Sequence, residues 1–278
     1  YTSWATAAQT IQDAVDAAFA GDTVLVTNGV YSAGGRAAPG RLLPNRVLID
    51  KALTVQSVNG PSVTSIQGAG PVGPSAVRCV WLAAGARLSG FTLQNGATLA
   101  VDVNNDFLDT RGAGVLAGGN SVIDRCVIRN NAAFLEGGGA YLGRLENCLI
   151  TGNSSDYGGG AMGSTLVNCT VAGNSGRLGA GTYAVNFQNS IVYGNTVTEG
   201  SADPAFGGTA SYSCTTILKT GAGNIAVSPQ FAGANDFHLM AGSPCINGGS
   251  NALAPAGTDL DGFPRIGNAV VDMGAYEK

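Results

Sequence analysis

The chain has 278 residues, a formal net charge of −4, only 12% charged side chains and 43 glycines. That balance excludes a strongly basic nucleic-acid binder, a coiled coil and a charge-driven disordered chain, and it gives no reason to expect an anionic-membrane binder. No apolar run reaches about 18 residues, so no membrane-spanning helix is expected, and glycine without a G-X-Y period is not collagen. One large domain, or at most two, with a core sizeable enough to fold without a metal or disulfide staple fits this length. Tyr1 is not an initiator methionine and no signal segment follows it. The chain therefore reads as a mature fragment or expressed domain whose export signal is absent.

In chain order, residues 9–20 form the one strong helical pattern, with Ile11, Ala14, Val15 and Ala18 on one face. Thr6 and Gln9 have capping-box spacing and Gly21 can end the helix. Thr23-Val24-Leu25-Val26 reads as a strand and Asn28-Gly29 as a turn. Residues 47–49, 53–55, 77–82 and 88–93 read as further strands, and 32–45 and 97–110 as insertions.

A repeat then takes over. Arg125-Cys126-Val127-Ile128-Arg129-Asn130-Asn131, Asn147-Cys148-Leu149-Ile150-Thr151-Gly152-Asn153 and Asn168-Cys169-Thr170-Val171-Ala172-Gly173-Asn174 align directly. Asn189-Ser190-Ile191-Val192-Tyr193-Gly194-Asn195 is a fourth copy, and Gly90-Phe91-Thr92-Leu93-Gln94-Asn95 is a degenerate earlier one. Glycine triplets recur in phase at 112–114, 137–139, 158–160 and 179–181, two of them with alanine in the middle. Apolar residues two apart within each copy indicate strands with one buried face, and a period near 21 residues leaves room for three short strands and three turns. That is one coil of a parallel β-helix, a solenoid of about nine coils in this length. Cys126, Cys148, Cys169 and Ser190 then stack as an inward column, as do Ile128, Ile150, Val171 and Val192. Asn131, Asn153, Asn174 and Asn195 form a turn ladder, since an amide can donate to one neighbour and accept from the other. The amphipathic helix suits the exposed apolar end of such a solenoid as a lid.

The repeat degrades after Gly200, which sets expected boundaries: an N-terminal cap at 1–22, coils at 23–235 with the clearest repeats at 112–199, and a C-terminal cap at 236–278. Residues Thr10-Ile11-Gln12-Asp13-Ala14-Val15, followed by Gly21-Asp22-Thr23-Val24, resemble the start of pectin-lyase-like right-handed β-helices. The paired glycine and asparagine repeats are similar to those of polymorphic outer-membrane proteins. Ser243-Pro244-Cys245-Ile246-Asn247-Gly248-Gly249, Thr258-Asp259-Leu260-Asp261-Gly262-Phe263-Pro264-Arg265 and Val271-Asp272-Met273-Gly274-Ala275-Tyr276-Glu277 resemble the choice-of-anchor Q domain of bacterial surface proteins. The resemblance implies an all-β, single-stranded, right-handed parallel β-helix with an extracellular or surface-linked life, its anchor either removed beyond Lys278 or lacking. It implies no activity.

Candidate chemistry is sparse. Gly158-Gly159-Gly160-Ala161-Met162-Gly163 matches a dinucleotide fingerprint, but no helix follows and the glycines keep the solenoid period, so they read as close-packing residues. His238 is the only histidine, which excludes a multi-histidine metal site and leaves a polar surface residue. Asp259 and Asp261 are weak candidates for a structural calcium ion. No glutamate follows at EF-hand spacing, and a turn with aspartates capping backbone amides is the simpler reading. No other cofactor is expected. The cysteine column reads as inert buried thiols; Cys214 and Cys245 lie outside it, paired or unpaired.

The richest set lies just before the glycine triplets. Arg111, Glu136, Tyr157 and Leu178 share one phase, and Thr110, Leu135, Asp156 and Arg177 share the next. The insertion above adds Asp102, Asp106 and Asp109. Asp109, Glu136, Asp156 and Arg111 are the catalytic candidates; Asp102, Asp106, Tyr157 and Arg177 are the ligand-binding ones. Carboxylates, arginine and an aromatic ring on one groove can bind a polysaccharide or cell-surface glycan, and a carboxylate pair can cleave one. The ordinary alternative is a solvated flank with surface salt bridges. The polygalacturonase, pectate-lyase and epimerase motifs of known β-helix enzymes are missing, and lysine occurs only at 51, 219 and 278. The expectation is a non-catalytic adhesive, scaffold or glycan-contacting module without nucleic-acid or membrane-inserted partners; the alternative is a polysaccharide lyase or glycoside hydrolase.

Overall fold

The computed structural model describes residues 3–102, 104–199 and 203–278. Among them the chain winds into three sheets of eight strands each and a fourth of three, Ser154–Tyr157, Ser175–Leu178 and Thr196–Val197, every neighbour pair parallel except one at the N-terminal edge of the third sheet. One coil shows the plan. Val122–Asp124 lies in the first sheet, Val127–Arg129 in the second and Ala140–Tyr141 in the third. The next coil returns at Arg144–Glu146, in register with the first strand. This is a right-handed parallel β-helix, the hand that parallel crossovers take.

Inward columns build the core. Val55, Leu88, Ile123, Leu145, Leu166 and Phe187 stack along the first sheet. Ile66, Leu93, Ile128, Ile150, Val171 and Val192 stack along the second, all 0% exposed. The third sheet contributes Val47, Val80 and Val115 and then smaller residues, Ala140, Ala161, Thr182 and Ala205, where the bulky columns opposite fill the space.

The turns explain the repeated letters. Arg125, Asn147, Asn168 and Asn189 all adopt left-handed backbone between the first and second sheets. The next residue points inward and must be small. Its polar atom receives a main-chain N–H from the coil before: Cys126 N to Cys148 Sγ at 3.5 Å, Cys169 N to Ser190 Oγ at 3.1 Å, Ser190 N to Ser213 Oγ at 3.0 Å. At the following turn the amide of each buried asparagine donates to the next, from Asn131 through Asn153 and Asn174 to Asn195, each at 2.9 Å. Their oxygens also accept main-chain N–H groups at 3.0 Å. Each rung is thereby satisfied twice.

Cys126, Cys148 and Cys169 are buried and unbonded, and burial pushes the Cys148 thiol well above its ordinary pKa. Because the thiolate is the reactive form, native protein should leave all three unlabelled by a maleimide. Denatured protein should label all three without a reductant. Labelling that appears only after reduction would reveal a disulfide inside the column.

The structure corrects three expectations. Seven full rungs form, not about nine; an eighth has strands in the first two sheets only, Ala210–Ser211 and Cys214–Thr215, and the parallel bridge from Cys214 to Ile225 begins a ninth that gains no strand among the described residues. Residues 88–93 are not one strand. They are two, Arg87–Ser89 and Thr92–Gln94, because Gly90 takes a left-handed conformation and turns the chain from the first sheet into the second. The helix spans only Ile11–Ala17. Thr10, not Thr6, caps it by accepting the Asp13 N–H, and the backbone is already extended at Ala18. The helix does cover the N-terminal end: Ile11 and Val15 enter the core, and the Gln12 amide both donates to and accepts from the Leu48 backbone.

Candidate functional site

The site is built on the flank where the second sheet turns into the third. Parallel bridges align Arg111 with Glu136 and Glu136 with Tyr157, and Tyr157 pairs with Leu178 one coil on. The phase read from the glycine triplets is thus a real column. Arg111 Nε lies 2.6 Å from Glu136 Oε2, with both atoms shielded from solvent. The contact lacks hydrogen-bond geometry, so it is an ion pair held by charge. The Arg111 guanidinium sits over Tyr141 at 5.1 Å and Phe107 at 5.6 Å. Arg177 sits over the Tyr157 ring at 4.7 Å, donates to its hydroxyl, and lies 3.8 Å from Asp156.

Beside this column runs a second one that sequence reasoning missed. The outward positions of the third sheet place Trp81, Leu116, Tyr141, Met162, Tyr183 and Phe206 in strict register. Tyr183 meets Tyr157 edge-on at 5.4 Å and stacks on Phe206 at 5.3 Å. A signal was present: Leu116, Tyr141, Met162 and Tyr183 each stand two residues after a glycine triplet. The result is a strip of aromatic and apolar side chains, with Leu116 and Met162 between the rings, bordered by two guanidinium groups.

The structure brings Arg111, Glu136, Asp156, Tyr157 and Arg177 together, but it puts the three insertion carboxylates to a different use. Asp106 pairs with Arg41, which holds its carboxyl down to about 2. Asp102 accepts the backbone N–H groups of Asn104 and Asp109. Asp109 is fully buried and accepts the Leu42 N–H at 3.0 Å. These contacts clamp the insertion at 97–110 onto the one at 32–45, forming a wall above the flank. Val103 of that insertion lies outside the described residues. Beneath the wall, fully buried Arg78 donates to the carbonyls of Leu108, Arg111 and Gly112 and to Asn45 Oδ1, at 2.6–2.9 Å. Burial draws its pKa down to about 9, so it remains a cation at neutral pH.

The C-terminal candidates form a turn. Asp259 is fully buried and accepts the N–H groups of Asp261, Phe263 and Glu277. Asp261 Oδ2 is 2.7 Å from His238 Nε2. Among the described residues no group of three or more histidine, cysteine or acidic side chains is placed to hold a metal. His238 is more constrained than a free surface histidine: Asp236 holds its Nδ1 and Tyr276 lies against its ring at 4.0 Å. Burial disfavours the imidazolium, but the bonds to Asp236 and Asp261 outweigh it and raise the pKa above its ordinary value. The clamp's contribution is therefore complete below about pH 6.5 and is lost as pH rises through the raised pKa. Proton NMR should show a His238 midpoint above 6.5, and the thermal midpoint should drop slightly between that pH and mild alkali. His238→Gln should flatten that drop; a midpoint at or below 6.5 contradicts the clamp.

Two concave regions lie away from the flank. One, of about 820 Å³, runs between the second sheet and the 259–262 turn. The other, of about 930 Å³, lies beside the N-terminal helix.

No protein-family model matches the chain, and no curated protein matches it in sequence. Solved structures are similar at the level of fold. Pectate lyase Pel9A aligns over 96% of this chain and 90% of its own, with 12% identity and a TM-score of 0.44. Pectin methylesterase PemA from Erwinia chrysanthemi aligns over 87% and 73%, with 13% identity and a TM-score of 0.41. A pectin methylesterase in complex with a hexasaccharide aligns over 75% and 67%, with 14% identity and a TM-score of 0.40. At this identity the likeness extends to fold alone.

Proposed function

We propose that this chain is a glycan-contacting module of an exported or surface-displayed β-helix protein, acting by binding rather than by bond cleavage. The aromatic strip from Tyr141 to Phe206, bordered by Arg111 and Arg177, carries the reading. Sugar rings present apolar faces that pack on aromatic side chains, and guanidinium groups donate in a planar fork to hydroxyl or carboxylate oxygens. Strand spacing places one such side chain, ring or thioether, about every 4.8 Å, which suits a polymer of repeated units. A rigid solenoid also loses little entropy on binding. The carboxylates weigh towards binding. Glycosidic cleavage needs one protonated and one ionised carboxyl group facing the same bond. Glu136 is tied to Arg111, and Asp109 is buried in the insertion junction.

A lyase or hydrolase is the second reading. One observation favours it: Asp156 is half exposed and only loosely paired with Arg177. Two measurements separate the readings. Neutral and acidic polysaccharides should bind on an array and by calorimetry, and Tyr183→Ala should weaken binding roughly 5–10-fold, the value of one well-placed ring. The same polysaccharides should yield no reducing ends and no unsaturated product. Turnover abolished by Asp156→Asn would establish the second reading, and absence of binding to either class would remove both.

A further inference from the structure

The end of the solenoid carries a pair of residues that the glycan reading does not use. Cys214 lies on the last strand of the second sheet, and Cys245 lies in the C-terminal cap, 31 residues on. Both are fully buried in one apolar cluster with Ile191, Leu239 and Met273. Each is held from its own side. Cys214 Sγ donates to the Val227 carbonyl at 3.1 Å, while the Cys245 backbone accepts the Met273 N–H at 3.0 Å and its own N–H donates to Ser243 Oγ at 3.2 Å. This differs from the column at Cys126, Cys148 and Cys169. There the thiols stand on adjacent in-register coils, and main-chain donors point at sulfur. Parallel strands fix that spacing near 4.8 Å, beyond the usual Cβ separation of a disulfide. Cys214, on a strand, and Cys245, in a turn of the cap, are free thiols in the structure that share one apolar cluster, and no strand ladder fixes their separation.

We propose that Cys214 and Cys245 form a disulfide that staples the C-terminal cap to the last coil when the protein folds in an oxidising compartment. The staple would sit where the fold needs it. The eighth rung is already incomplete, with no strand in the third sheet, and the cap that closes it contains no strand. The cap otherwise holds to the coils through apolar packing, Leu239 and Met273 with Ile191 and Leu260 and Ala275 with Leu149, and through individual bonds, among them Gly274 N to Asn189 O at 2.8 Å, Asn168 Nδ2 to Asp272 O at 3.0 Å and Arg125 Nη1 to Thr258 Oγ1 at 3.1 Å. The chemistry is disulfide exchange. The Cys214 thiolate attacks a donor disulfide, such as glutathione disulfide or the active-site disulfide of a thiol oxidoreductase. A mixed disulfide forms and one donor thiol leaves. Cys245, deprotonated, then attacks Cys214 Sγ and expels the second donor thiol. Two protein thiols are oxidised, one donor disulfide is reduced to two thiols, and two protons pass to them. The roles of the two thiols can be exchanged in this scheme without changing its balance. Burial blocks a donor once the cap is seated, so the exchange belongs to folding, before docking.

The test is refolding from denaturant in a glutathione redox buffer, which removes access as a limit. The intact mass should fall by about 2 Da, the change for one disulfide. Proteolytic mapping should find a peptide joining Cys214 to Cys245, with the other four cysteines still alkylated after denaturation. Adding dithiothreitol under partly denaturing conditions should lower the thermal midpoint by roughly 5–10 °C, as expected for closing a loop of this length in a chain of this size. Cys214→Ser and Cys245→Ser should each abolish both the mass change and the redox dependence of the midpoint. Refolded protein with all six cysteines alkylated overturns the proposal, as does a bridge mapped to any other pair. The mapping uses the unaltered chain, so it decides between these outcomes even where a serine variant fails to fold.

Discussion

Gly159→Ala is expected to destabilise the protein by more than about 3 kcal/mol, or to stop it folding. A Cβ at this position would stand 2.1 Å from the Ser175 carbonyl oxygen and 2.6 Å from that of Ala180. Both belong to the next coil, and both are backbone atoms. Overpacking costs about 1–3 kcal/mol when side chains can yield. Here the coils themselves would have to separate, breaking the ladder bonds from Gly139 N to Gly159 O at 3.1 Å and from Gly160 N to Ala180 O at 3.0 Å. Gly119→Ala is the matched control: its Cβ would meet nothing within 4 Å. That variant should be neutral or stabilised by a few tenths of a kcal/mol, through the entropy of the unfolded chain. Equilibrium unfolding in denaturant compares the two. Similar midpoints would show that the triplets are not close-packing residues, and would reopen the ligand-loop reading of Gly158 to Gly163.

Arg78→Leu should cost about 3–5 kcal/mol, and a fall in thermal midpoint of roughly 10 °C is the corresponding readout. Leucine fills much of the space but offers no donor. The carbonyls of Leu108, Arg111 and Gly112 and the Asn45 oxygen would all be left buried without their partner. Lysine should not rescue, since three donors on a point charge cannot reproduce the guanidinium fork. Because three of the four acceptors lie at the end of the insertion and the start of the flank, the loss should be local first. Limited proteolysis should cut within 97–110 before the coils unfold, and glycan affinity should fall with it. An unchanged midpoint and cleavage pattern would mean that Arg78 does not hold the wall.

The two variants differ in how far the sequence announces them. Gly159 belongs to a triplet that recurs every coil, so its packing role could be read from the period. The same holds for the asparagine ladder, the cysteine column, and the alignment of Arg111, Glu136 and Tyr157. The aromatic strip was equally periodic, but its members change identity from leucine to tyrosine to methionine. Only the register reveals them as one column. Arg78 carries no such mark, because its partners lie 30 to 34 residues away across an insertion. Cys214 and Cys245 stand 31 residues apart for the same reason, one in the last coil and one in the cap. The carboxylates of Asp102, Asp106 and Asp109 show the converse case. Their residue types suited a ligand groove, and the fold commits them to backbone amides and Arg41 instead.

By itself the amino-acid sequence determined the solenoid, its inward columns, its ladder and the flank on which Arg111, Glu136, Asp156, Tyr157 and Arg177 gather. The tertiary structure alone decided the number of rungs, the docking of the two insertions, the caging of Arg78 and the meeting of the last coil with the cap. The physical reason is the period. In a parallel β-helix a separation of about one coil becomes a vertical neighbour some 4.8 Å away, so sequence distance translates directly into contact. Insertions and caps have no period. Their contacts are set by which buried polar groups find partners once the coils have stacked, and only the folded chain brings those groups together.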